Sequence, residues 1–487
     1  MLTYIITGLG LATVYKVSKA IKCPKELEKV TSMPMSSFFT FVSSQESFDD
    51  KMKKDFQPVM DANGIIRVFG MTGWCLMISD YAIIKEIASK PEIFCKPDPT
   101  KQPTNLNSLK FFGKSHVAIN NGQEWKRHRK IINTIFSSKW DLEIFENSTH
   151  DLIDILKLSE GEEIEVYDNI QRLTLDILGK SIFNIDFKSL KDPDSKLYST
   201  YTYIINRLFN EPMYFIMPFL EHLPYFKRSD LSRKIDEYDQ FVESIIDSRY
   251  EAIKNGEVNT ENKDLITKLI LSNMEEDESK RLTGDEIRDN IKIFIMAGQD
   301  TTANTITTAL YYLARYHDIQ TKLRSEILNV LGNPTLLTTP TLDQLKSMPY
   351  LSQVIKESMR IVTTSSAVTR IAAQDYTLSN GVTIPKGTDI YCHLWASHHN
   401  SSFPNAHEFK PERFVDGDGE WCPFFLGTRK CIGMNFSLLE LKVNLVLILQ
   451  QFDLSMSESN PDYEKLRLNS MNVIKPLDLK LKFKNLL

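Results

Sequence analysis

The chain has 487 residues, enough for one large enzyme domain or two to three smaller ones, with 42% apolar and 25% charged residues as in ordinary globular proteins. A net charge of −5, from 58 Lys and Arg against 63 Asp and Glu, excludes the basic excess of a nucleic-acid binder. The six cysteines (Cys23, Cys75, Cys95, Cys392, Cys422 and Cys431) form no CxxC pair or zinc-like spacing, which excludes a disulfide framework and suggests a reducing compartment.

From Leu2 to Tyr15 there is no charge, and Lys16, Lys19 and Lys22 follow. Extended to Ile21 with the lysines snorkelling, the run approaches the ~20 residues that span a bilayer. The expectation is an N-terminal single-pass anchor over residues 1–22 with the remainder cytosolic, because the basic residues lie on the C-terminal side of the run. A cleaved signal peptide is the alternative, but a basic n-region and a clear small-residue cleavage site are both missing. Residues 23–60, with Pro24 and Pro34, read as a linker, and 61–487 as a single folded unit.

Residues 64–78 read as two short strands around Gly70 and Gly73, with Asp80 capping a following helix. From about 121 to 330 apolar residues recur at three- and four-residue spacing, as in 169–183 and 235–253, which predicts helices. The acidic stretch 274–281 reads as a surface loop. Thr283 with Glu286 forms a capping box for a long helix reaching about Tyr316. Beyond residue 370, Ser379-Asn380-Gly381 between two apolar runs predicts a hairpin, and residues 389–392 another strand. The fold class expected is mainly α with small β-sheets (α+β), a minor sheet near each end. No internal repeat is present, and no fused flavodoxin-like reductase is expected.

Three stretches carry chemistry. The first is Phe424-Phe-Leu-Gly427-Thr-Arg429-Lys-Cys431-Ile-Gly433, a cysteine in a glycine-bounded turn. Cys422 lacks such flanks and reads as a buried thiol. The second is Ala297-Gly298-Gln299-Asp300-Thr301-Thr302, a poor helix interior of the kind kept where a helix is distorted for function. The Thr301 hydroxyl can bond the Ala297 carbonyl or face a groove. The third pairs Glu357-Ser-Met-Arg360 with Pro411-Glu-Arg413-Phe414. Two weaker signals are Trp125-Lys-Arg-His-Arg129 and Arg370. His398, His399 and His407 read as structural.

In order and spacing these segments resemble the cytochrome P-450 superfamily of haem-thiolate monooxygenases, eukaryotic microsomal type, from about residue 60 to 480. The resemblance implies haem b (iron protoporphyrin IX) between the long central helix and the cysteine loop, with Cys431 as axial iron ligand. Phe424, Gly427, Arg429 and Gly433 would complete the cofactor loop, with backbone N–H groups tuning the sulfur and both glycines allowing close approach to the porphyrin. Ala297 and Gly298 would lie against the haem, and Trp125, Arg129 and Arg370 near its propionates. Asp300 and Thr301 would deliver protons for oxygen activation. Glu357, Arg360 and Arg413 would form a buried structural triad. A proline-rich turn common in the family is replaced here by Val362-Thr-Thr-Ser-Ser366.

The reaction implied is insertion of one atom of O2 into a lipophilic small molecule: a steroid, terpenoid, fatty acid or xenobiotic. Electrons would come from NADPH through a separate NADPH-dependent reductase, with a cytochrome b-type donor as a further option, on the endoplasmic reticulum membrane. Lys126, Arg127, Lys130 and Lys430 would offer that partner a basic face. Substrate-pocket residues suggested by family position are Phe111, Phe112, Phe215, Ala367, Val368 and Met471. The rivals are a non-oxygenase haem-thiolate enzyme that rearranges or dehydrates, and a haem sensor without turnover. The Asp300-Thr301 pair argues against the first.

Overall fold

The structure, a computed structural model, describes residues 22–100, 106–137, 139–159, 161–211, 213–214, 217–258, 264–274, 277, 281–332, 335–469 and 473–486. The anchor expected over 1–22 thus lies, but for Lys22, outside the described residues. So do Phe215, Met471 and most of the acidic loop. Among the described residues no helix is long and apolar enough to cross a membrane.

Helices dominate, and the organising one is Gly284–Arg315, 32 residues long. Its capping box forms as the sequence predicts: Glu286 N donates to Thr283 Oγ1 at 3.2 Å, and Thr283 N to Glu286 Oε2 at 2.9 Å. Most of this helix is buried, packed against helices Tyr167–Leu178, Pro349–Ile361 and Met434–Gln451. Met434–Gln451 is almost wholly buried beyond its first turns, as expected of a run rich in Leu and Val. One large apolar core joins these elements, and a smaller one lies beneath the main sheet.

Strands β1 (Ile65–Gly70) and β2 (Gly73–Ile78) pair antiparallel, and Asp80 caps helix Tyr81–Ala88 by accepting from Ile83 N at 3.0 Å. β3 is Phe94–Cys95, β4 Ile164–Glu165, β5 Val368–Ala372, β6 Tyr376–Thr377, β7 Thr383–Ile384, β8 Asp389–Cys392, β9 Phe452–Ser455 and β10 Lys480–Asn485. The hairpin across Ser379-Asn380-Gly381 is β6–β7. The expected pair of separate end sheets needs correction. β2 and β8 pair in parallel, so strands from both ends merge into one five-stranded sheet, β1-β2-β8-β5-β3. A second sheet, β4-β10-β9, fastens the C-terminal end to the start of helix Tyr167–Leu178.

Candidate functional site

The Cys431 loop is wound tightly before helix Met434–Gln451. Phe425 (φ 60°) and Gly427 (φ 68°) adopt left-handed backbone, and Cys431 N donates to the Phe424 carbonyl at 2.9 Å. A Cβ at Gly427 would strike the Ala88 carbonyl oxygen, so glycine is needed there for conformation and for packing on helix Tyr81–Ala88. Gly433 is different. Its φ is −80°, and a Cβ would stand 3.9 Å from Phe136 and 4.0 Å from Cys431 Sγ, so neither turn geometry nor protein crowding demands glycine.

Cys431 is exposed, yet protein surrounds it closely enough that burial pushes its thiol up. Four groups oppose that push: Gly433 N–H, the Arg129 and Lys430 charges, and Met434 N–H. The two N–H groups and two cations favour the thiolate form of this sulfur, against the burial that disfavours it. Cys422 and Cys75 contrast with it. Burial pushes Cys422 and Cys75 up to about 12, with neighbouring acidic groups adding to the shift.

The long helix presents a second accessible surface. Ala297 and Thr301 are exposed in the middle of an otherwise buried helix. Phe294, one turn earlier on that face, stacks on Phe136 at 5.5 Å, and Phe136 also borders Gly433. The cysteine loop and the helix therefore flank one aromatic ring. Thr301 Oγ1 donates to the Ala297 carbonyl at 2.6 Å while staying exposed, so the two placements expected as alternatives hold together. A Cβ at Gly298 would come within 2.7 Å of Leu178, so helix packing by itself accounts for glycine there. Asp300 turns to neighbouring helices: Tyr201 Oη donates to Oδ2 at 2.6 Å and Gln171 Nε2 to Oδ1 at 2.8 Å. Burial raises its carboxyl, and these two donors oppose the rise.

A cluster of cations completes the site. Arg370 is 2% exposed, with its guanidinium over the Phe425 ring at 4.6 Å. Arg429 lies 4.2 Å over Trp125, donating to the Asn120 carbonyl and, at 3.1 Å, to Asn121 Oδ1. Arg129 reaches the Lys430 carbonyl at 3.3 Å. Lys96, which the sequence did not single out, follows β3. The register Cys95↔Ile371, continued by one residue, sets it opposite Arg370. Among the described residues none of these four cations pairs with a carboxylate. Burial, then the Arg370 and Arg429 charges, push Lys96 down to about 7. Burial, then Arg370, with Arg129 adding, push Arg429 down to about 10. Like charges gathered without counter-ions are destabilising unless an anionic group binds among them.

A cytochrome P450 family profile matches residues 33–483. The chain belongs to the cytochrome P450 family. It is 29% identical to an 11-oxo-beta-amyrin 30-oxidase of Medicago truncatula over 80% of this chain and 74% of that one. It is 27% identical to a cytokinin hydroxylase of Arabidopsis thaliana over 83% and 79%, and 29% identical to cytochrome P450 3A41 of Mus musculus over 74% and 73%. The fold matches a crystal structure of the cytochrome P450DA heme domain with a TM-score of 0.77 at 20% identity, covering 94% of this chain and 98% of that one. Membership makes the protein a haem- and O2-dependent monooxygenase with a small-molecule substrate and a redox partner.

The residues present fit the P450 haem. An accessible thiol with N–H donors suits the iron, and the unpaired cations Lys96, Arg129, Arg370 and Arg429 suit two propionates. Beside this site Glu357 is fully buried between two arginines. Arg360 Nε and Nη2 meet its two oxygens at 2.7 and 2.9 Å, and Arg413 Nε meets Oε1 at 3.0 Å. Arg413 also donates to the Pro404 carbonyl at 2.8 Å. Thr363, in the proline-free turn, donates to the Arg360 carbonyl at 2.9 Å and contacts His398 Nδ1 at 2.8 Å, which shapes the turn without proline.

Other expected positions fare unevenly. Phe111 is 1% exposed, packed against Phe112, Tyr201 and Tyr238, which seals it in the core instead of a pocket wall. Phe112, Ala367 and Val368 are half-buried, as pocket residues would be. Arg127 is tied to Glu286 and is not a free member of a basic face.

Proposed function

We propose that this P450 inserts one atom of O2 into a lipophilic small molecule, with Cys431 as axial ligand of haem b and NADPH-derived electrons supplied by a separate reductase. The observation that carries the reading is Cys431, whose sulfur the Gly433 and Met434 N–H groups approach, in a loop that borders Phe136, the ring stacked on Phe294 of the helix that carries Thr301. Bound haem supplies the binding and activation of O2, chemistry that no side chain offers. Gly433 N–H and Met434 N–H hold the sulfur's charge, while Lys96, Arg129, Arg370 and Arg429 hold the anionic edge. Thr301 holds its hydroxyl at the exposed groove, and Asp300 holds a proton-exchanging carboxyl beside it through Tyr201 and Gln171. A cavity of about 290 Å³ lined by Tyr167, Gln171, Tyr198, Tyr201 and Lys475 gives Asp300's partners access to water.

The similar oxidase and hydroxylase carry out oxygen-inserting chemistry by name, which favours a monooxygenase over a rearranging or dehydrating enzyme or a sensor. Residues 1–22 as a membrane anchor on the endoplasmic reticulum agree with the apolar group Met213, Met217, Phe219, Leu223 and Tyr225, all exposed. Such a group suits the surface of a bilayer next to an apolar substrate's route of entry. The test is product formation from candidate steroids, terpenoids and fatty acids with NADPH, O2 and a reductase, after screening them for a shift of the haem Soret band. A holoprotein that shifts its band but forms no oxygenated product with any reductase would overturn the reading.

A further inference from the structure

Outside the haem site, the structure brings together two imidazoles and a carboxylate. We propose that Asp49, His399 and His407 form a binding site for a divalent transition metal, with zinc the best chemical match. One ligand atom from each lies within 4.8 Å of the others. Asp49 is on the short helix Phe48–Lys51, His399 follows helix Leu394–His398, and His407 lies in the loop before Pro411. Two nitrogens and one oxygen are the ligand types of an open zinc site, in which water takes the fourth position.

The hydrogen bonds leave both imidazoles with a lone pair to offer. His399 Nδ1 lies 2.8 Å from the Trp395 carbonyl, which can only accept, so Nδ1 carries the proton and Nε2 does not. That Nε2 is buried without a hydrogen-bond partner, on a residue 2% exposed. Gln57 Nε2 donates to the His399 carbonyl at 2.7 Å, so its Oε1 faces His407 Nε2 at 3.2 Å as an acceptor. His407 therefore carries its proton on Nε2 and its lone pair on Nδ1. A carbonyl or amide oxygen behind each imidazole is the arrangement that orients metal-binding histidines.

The backbone is also preorganised. Arg360 Nη1 donates to the His398 carbonyl at 2.9 Å and the Ala406 carbonyl at 2.7 Å. One guanidinium thus pins the residue before each histidine. A tetrahedral centre with bonds of ~2.0–2.2 Å sets its ligand atoms about 3.3 Å apart, so the cluster must contract by roughly 1.5 Å at most. The exposed loop at His407 provides the slack. The competitors are Lys53 and Lys465, whose ammonium groups lie 3.4 and 3.5 Å from Asp49 Oδ2. Lys465 also pairs with Asp50, to which it can move when a cation takes Asp49.

The experiment uses the purified holoprotein, stripped with a chelator and titrated with zinc chloride, with metal content and the zinc X-ray absorption spectrum measured. The expected result is one zinc per haem, in a nitrogen- and oxygen-only shell with two imidazoles. His407→Ala and Asp49→Asn should each weaken binding at least ~10-fold with the haem spectrum unchanged, and Gln57→Ala by ~10-fold through its loss of orientation. Lys465→Ala should tighten binding by removing a competing cation. Sulfur in the zinc shell, less than one zinc per haem, or affinity indifferent to His407→Ala would overturn the proposal.

Discussion

The Tyr201 hydroxyl donates to Asp300 Oδ2 at 2.6 Å from a helix 99 residues earlier in the chain. The carboxylate next to Thr301 is therefore held among buried helices, its charged form opposed by burial and supported by Tyr201 and Gln171. Tyr201→Phe removes one support and should raise the Asp300 pKa further. The matching limb of the pH–turnover profile should move to higher pH, and Asp300→Asn should abolish that limb and slow turnover by ~10²-fold or more. The check is kcat against pH for the three proteins; identical profiles would remove Asp300 from the proton route.

Two cysteines nine residues apart should behave oppositely. Cys431→Ser loses the sulfur to which Gly433 and Met434 aim their N–H groups, and with it the red-shifted band of the reduced carbonyl complex. Cys422→Ser should keep that band, because Cys422 is buried with its thiol pushed up to about 12, and its backbone N–H rests on His398 Nε2 at 3.0 Å. Difference spectra of the two variants decide it.

What the sequence revealed and what it hid follow from the range of the interactions. The capping box at Thr283, the β1–β2 pair and the cysteine turn are written in residues a few positions apart, and all are legible. The Glu357–Arg413 pair spans 56 residues and was legible only by resemblance. Lys96 was not legible. A lysine after a two-residue strand carries no pattern, and only the β3–β5 register brings it opposite Arg370. The merged sheet was hidden for the same reason, since parallel pairing of β2 with β8 leaves no local trace. The packing of Leu178 against Gly298 was hidden as well, because a contact between two separate helices leaves no local pattern.

Glu357→Ala should give little haem-loaded protein. Arg360 is wholly buried and Arg413 nearly so, and both would lose the shared carboxylate. Breaking such a network costs about 3–5 kcal/mol against a usual total of ~5–15 kcal/mol. Holoprotein yield and thermal unfolding are the measurements; wild-type values in both would assign the fold's stability elsewhere.

Acid should weaken the start of the long helix. Burial alone would raise Glu286, but the His128 hydrogen bond, Thr283 N–H and the His128 and Arg127 charges hold it at about 2, against an ordinary 4.5. A depressed carboxyl contributes stability that is present above the ordinary value and lost as pH falls through the folded one. Glu286→Gln should therefore cost about 1–2 kcal/mol near neutral pH, allowing for screening, and flatten the stability profile between about 4.5 and 2. Denaturant titrations across that range test it; parallel wild-type and variant curves would refute it.

The Thr301 hydroxyl is the one polar side-chain group that the long helix motif keeps at the exposed groove. It donates to the Ala297 carbonyl at 2.6 Å, which fixes the oxygen in place and leaves its lone pairs free to accept from water at the exposed surface. A fixed acceptor can order the water that passes protons inward, and Asp300, one residue away and held by Tyr201 and Gln171, can replace them. Thr301→Ala keeps the cysteine, the cation cluster and the packing at Gly298 against Leu178, so haem loading and substrate-induced spectral shifts should be unchanged. Proton supply should fail instead, and electrons from NADPH should appear as hydrogen peroxide. Product per NADPH should fall by about 10-fold or more, within the ~10²–10⁴ that positioned acid–base groups contribute. Thr301→Ser, which retains the hydroxyl, should recover most of the coupling. The measurement is product, NADPH and peroxide assayed together; full coupling in Thr301→Ala would leave the threonine a packing residue and put the proton route elsewhere.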